Sequence, residues 1–247
     1  MLFRSRFFTY LRIPELEKPV PRQQGFVPAF LAVVRSEGYM SFCAYVFLLS
    51  LVTLGCPHLF GLIEKKVLLL YDAQVVWLGN LGMIGAVTGF LFGGKAIDRW
   101  GTKPVFLVCH FGYALVLALF LLRGVVPASV WLPLALGALN FAFGILMAAS
   151  SVAISTEMLA LIPAKNKSLS TSLCMTLLTG GTALSGVLAA GLLKLGVLRE
   201  TWQLWGMKLS DYDGVLLIYG LAVLLLVVAL GLVPSVIGKA QWVPRSS

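Results

Sequence analysis

The chemistry available to this chain lies in a few polar residues set in a very apolar sequence. The densest group is Gly94-Lys95-Ala96-Ile97-Asp98-Arg99-Trp100-Gly101-Thr102-Lys103, with one acid and three bases. It lies between two runs without charge, Val75 to Gly94 and Val105 to Leu122. Asp98, at a helix end, can accept from backbone N–H groups, or pair with Arg99 or with a neighbouring helix. Gly101 permits a left-handed turn. Glu157 is a candidate gate partner for Arg99 or Lys103, or for Lys165 or Lys167. His58 follows Cys56-Pro57, where a kink would free backbone carbonyls; it either meets a substrate or carries a proton, or it faces lipid headgroups. Asn140 either hydrogen-bonds a substrate or packs between helices. No residues show metal-ligand spacing, and there is no nucleophile–base motif and no phosphate loop. The expectation is a protein that is not an enzyme and uses no metal or cofactor.

The elements that must position these residues follow from composition. The 247 residues are 59% hydrophobic and 12% charged, against about a quarter charged in soluble domains, and the mean hydropathy is +0.94. This excludes an ordinary soluble domain and implies an integral membrane protein. The apolar runs predict six spans, over roughly 39–63, 75–97, 104–122, 130–154, 172–193 and 215–236. The first should kink at Gly55 and Pro57, and Glu64-Lys65-Lys66 ends it. Residues 1–38 read as a basic arm and a surface helix, 39–237 as the six-helix bundle, and 238–247 as a polar tail. The four cysteines fall inside apolar runs and read as small buried hydrophobes.

The net charge of +9 points to no nucleic-acid partner, because the bases lie between spans. Lys65, Lys66, Arg123, Lys194, Arg199 and Lys208 fall on one side. The other thirteen of the nineteen Lys and Arg residues share the side of both termini. That bias places both termini in the cytoplasm of a multi-pass protein of the plasma membrane, read as a bacterial inner membrane. The bilayer is its expected partner.

Glycines set the expected helix contacts. Gly82, Gly85, Gly89 and Gly93, with Gly79, recur at steps of three and four along the second span and share one face. Gly181 and Gly186, with Gly180 and Ser185, make a comparable set in the fifth. Such faces allow close helix packing, either static or as a sliding surface. The two spans are the middle members of two triplets that cross the membrane in opposite senses, the arrangement of inverted repeats in transporters.

The turn after the second span resembles the loop signature of the major facilitator superfamily, G-x-L-A-D-R-x-G-R-K. Gly94, Asp98, Arg99, Gly101 and Lys103 match; Ala96 and Ile97 approximate the Leu-Ala pair, and Thr102 replaces the first of the two bases. The resemblance covers ten residues. It implies an all-α membrane fold of six helices as two inverted three-helix repeats, half of the family's usual twelve. It also implies solute transport by alternating access, with the turn as a cytoplasmic latch; read from the residues alone, the turn is simply topogenic. The fourth span lacks the Arg, and the fifth lacks the Gly-Pro motif, of the family's first half. The chain therefore resembles the C-terminal half. It would need a second six-helix half or a homodimer partner to enclose a small-molecule solute that the sequence does not specify. The alternative is a non-transporting membrane partner or an inactive truncated transporter fragment.

Overall fold

The computed structural model describes residues 25–125, 131–163, 166–195, 201–204 and 207–232. The arm before Gly25, Lys165 and the tail over 238–247 lie outside them. The chain runs through α1 (Phe26–Val34), α2 (Glu37–Thr53), α3 (Cys56–Leu62), a π-helical turn (Ile63–Val67), α4 (Asp72–Trp100) and α5 (Thr102–Leu121). A 3-10 turn (Leu122–Val125), α6 (Trp131–Leu161), α7 (Lys167–Lys194), a hairpin of β1 (Thr201–Leu204) and β2 (Met207–Ser210), and α8 (Asp211–Leu232) complete it. Six helices are long and apolar enough to cross a membrane: Gly38–Val67, which joins α2, α3 and the π turn, then α4, α5, α6, α7 and α8.

The first of these breaks where the sequence predicts a kink. Helix α2 stops at Thr53, and α3 restarts at Cys56 with Pro57 in its first turn, where a missing N–H costs nothing. The π turn then rotates Glu64 into the bundle and leaves Lys65 and Lys66 exposed. Leu69 takes a left-handed φ of 53°, and Tyr71 and Gln74 cap the start of α4 reciprocally. Between α4 and α5 the chain turns on Gly101, at φ 85° and ψ 168°, a region open essentially to glycine alone.

Helix α4 packs along α6, α2 along α7, and α5 against both α6 and α8. The first contact is very close. A Cβ on Gly85 would lie 2.1 Å from the Phe141 carbonyl oxygen, and one on Gly144 of α6 would lie 2.0 Å from that of Gly82. Aromatic rings fill the centre: Phe60 stacks on Phe120 at 4.3 Å, and Phe143 meets Phe60 edge-on. Large apolar side chains such as Trp77, Ile84, Phe90, Phe92, Val108 and Phe111 face outward. A soluble monomer rarely exposes so much apolar surface, but lipid accommodates it.

Two features depart from expectation. The stretch between the fifth and sixth spans, where the apolar runs indicate only a loop, holds the β1–β2 hairpin, in which Trp202 opposes Leu209 and donates its indole N–H to the Ser210 carbonyl oxygen at 3.0 Å. Arg123, expected as a surface charge ending the third span, is buried. It makes a two-pronged ion pair with Asp213, at 2.6 and 2.8 Å, tying the end of α5 to the start of α8.

Candidate functional site

A cavity of about 690 Å³ opens between α3, α4 and α6. It is large enough for a drug-sized ligand. Helix α3 and its π turn contribute Pro57, His58, Gly61 and Glu64; α4 contributes Gly79, Gly82, Met83 and Ala86. Asn140, Phe143, Gly144 and Met147 come from α6. The lining is mostly apolar. Its polar side chains are His58, Glu64 and Asn140.

Each polar group is placed by a local feature. The break at Gly55 and the proline in the first turn of α3 carry His58 to an exposed position on the cavity wall. The π turn carries Glu64 inward, to 2% exposure. Single π turns are rare and frequently occur at functional sites. Asn140 faces it from α6. Its side-chain amide donates to Glu64 Oε1 at 2.9 Å and to the Leu136 carbonyl oxygen at 3.1 Å. The close approach of α4 to α6 at Gly82 and Gly144 holds the asparagine in place.

The electrostatics of the pair are unusual. Among the described residues no cation pairs with Glu64. Lys65, next on the turn, is exposed and pairs instead with Asp72 at 2.5 Å. Asp213, a second deeply buried carboxylate, has both oxygens on Arg123. A buried carboxylate without a cation is expensive, because its lost hydration is only partly replaced. Facing a mostly apolar cavity, it offers acceptor oxygens to whatever enters, and a negative charge when ionised.

The structure thus brings His58 and Asn140 to one cavity wall and adds Glu64, which the sequence reading places among the flanking charges. The missed signal is periodic. Cys56, Phe60 and Glu64 are spaced by four, and Cys56, Leu59, Phe60 and Ile63 form the buried stripe of α3.

The turn residues lie elsewhere. Gly94 meets no neighbour, while Asp98, Arg99 and Lys103 are exposed. Among the described residues none of these three charges has an ion-pair partner. Glu157 is buried at that end of the bundle, and its contact differs from the expected base: Thr102 donates its hydroxyl to Glu157 Oε2 at 2.7 Å. Thr102 stands where the superfamily signature has the first of its two bases. Among the helix-face glycines, Gly82, Gly85, Gly89 and Gly93 of α4 meet the backbone or Ala side chains of α6, and Gly181 of α7 meets Ser50 and Phe47 of α2. Gly186 differs, as do Gly79 and Gly180: a Cβ at each would meet nothing within 4 Å.

His110, outside the cavity, is buried. Its Nδ1–H donates to the Phe106 carbonyl oxygen, which leaves Nε2 of the neutral ring to accept from the Tyr45 hydroxyl. Among the described residues no group of His, Cys, Asp and Glu has the geometry to hold a metal. Comparison of the chain with protein-family models, with curated proteins and with solved structures gives no match.

Proposed function

We propose that the chain is a six-helix transporter half that moves a small solute across the membrane by alternating access, together with a separate second half or a second copy of itself. The observation that carries this reading is the cavity between α3, α4 and α6, with its buried Glu64–Asn140 pair. Ionisable groups buried in a membrane bundle are costly, and one that lines a cavity is by default a candidate for a solute or ion pathway.

The helix neighbours support the repeat arrangement. Exchanging the first span with the fourth, the second with the fifth and the third with the sixth turns the α4–α6 contact into the α7–α2 contact. These are two of the principal contacts of the bundle, and the exchange returns the α5–α8 contact to itself. Two three-helix repeats would pair their helices in this way, and with three spans each they would cross the membrane in opposite senses. The turn at Gly94 to Lys103 supports the family resemblance, with Thr102 and Glu157 taking the part of the latch. The Lys and Arg bias supports a cytoplasmic location for the turn and for both termini, in a multi-pass protein of the plasma membrane.

The test does not require the solute. Met83 is exposed, lines the cavity and lies near the middle of α4, and all four native cysteines are buried. In native membrane vesicles of each orientation, a Met83→Cys variant should react with an impermeant thiol reagent from both faces. Reaction from one face only contradicts alternating access.

A further inference from the structure

We infer that the occupant of the cavity is an amphipathic organic cation held by Glu64; this rests on the cavity being the solute site proposed above. Three observations converge. First, Glu64 is 2% exposed and lines the cavity, yet among the described residues it has no cationic partner. Its neighbours on the same turn do not supply one: Lys65 and Lys66 are exposed, and Lys65 is taken by Asp72. The same bundle neutralises Asp213 with a two-pronged arginine; Glu157, buried at the opposite end, accepts from Thr102, and of the three buried acids Glu64 is the one that lines the cavity.

Second, Asn140 fixes the carboxylate without neutralising it. Its amide donates one hydrogen bond to Oε1 and is itself anchored to the Leu136 carbonyl oxygen. A charge held in this way is pre-organised for a partner of opposite sign, and little reorganisation is needed on binding. Third, the rest of the wall suits the body of such a cation. Phe143, 2% exposed and packed against Phe60 and Tyr113, adds apolar contact to the wall. Met83 and Met147 offer soft, adaptable apolar contacts. An anion would meet Glu64 as a like charge in a site with few donors, and a sugar would find few hydrogen-bonding groups.

The probe is tetraphenylphosphonium, set against tetraphenylborate, which has nearly the same shape and the opposite charge. Equilibrium dialysis with the purified full chain in detergent measures binding directly, without requiring transport. Tetraphenylphosphonium should bind saturably, and tetraphenylborate should neither bind saturably nor displace it. Glu64→Gln keeps a partner for Asn140 but removes the charge, and should weaken binding at least about tenfold; Glu64→Asp should retain part of it. Equal binding of the two ions by the wild-type chain overturns the inference whatever the variants do. So does unchanged binding by Glu64→Gln, since Glu64 would then serve only to hold Asn140. Loss of cation selectivity with two-sided labelling of Met83→Cys retained overturns the cation assignment alone. One-sided labelling with cation binding retained overturns the transport reading alone.

Discussion

At the scale of single residues, the bundle treats its buried acids differently. Asp213 is neutralised by Arg123 and also accepts from the Ser210 backbone N–H and hydroxyl, at 2.8 Å each. Removing one member of such a pair leaves the other charge buried alone. Asp213→Asn should therefore cost about 3–5 kcal/mol and lower the thermal midpoint of the purified protein. The exposed Lys65–Asp72 pair should behave otherwise: Lys65→Ala should change stability by less than about 1 kcal/mol. Gly101 is constrained by its backbone and not by crowding, since no atom lies near the place of its Cβ. Gly101→Ala should cost about 1–3 kcal/mol in the same assay. The sequence made Gly101 legible, because glycine in a tight turn between two spans has few other reasons to be there. Glu64 was harder to read. Followed by two lysines at the edge of an apolar run, it looks like surface charge, and the signal against that is its place four residues after Phe60, on the stripe that is buried.

At the scale of elements, the apolar runs disclosed all six long helices and the break in the first. The glycine stripe of α4 was legible because steps of three and four keep residues on one face. Its partner was not, since Gly137 and Gly144 of α6 are only two residues, seven apart, among larger neighbours. Gly186 shows where such a reading fails. It lies five residues beyond Gly181, about 140° further round the helix, so the two cannot share a contact. Gly85→Val and Gly144→Val should each drive a side chain into facing backbone and cost about 2 kcal/mol or more, read as lost thermal stability. Gly186→Ala should be neutral within about 0.5 kcal/mol. The hairpin escaped because its strands are four residues each, short enough for the period-two pattern of Trp202 and Leu209 to pass as loop.

At the scale of the whole molecule, the ends of the bundle do different work. The cavity lies toward the end that carries the π turn, while α4 and α6 stay in close contact through Gly89 and Gly93 toward the end that carries Gly101. There Thr102 is bonded to the buried Glu157. The proposed orientation makes the first end external. Cysteines at the exposed positions Lys208 and Lys103 should react with an impermeant reagent from outside and inside respectively; the reverse pattern would invert the topology. Under the proposed alternating access the Thr102–Glu157 bond would hold the inner end closed, and its loss should favour the state open to the cytoplasm. The most direct measurement is therefore the rate at which a cysteine at Met83 is labelled from each face, with Thr102 intact and in a Thr102→Val background. Labelling from both faces is expected in each case, with the inside-to-outside ratio raised about fivefold by Thr102→Val. Labelling from a single face in both backgrounds would contradict the account.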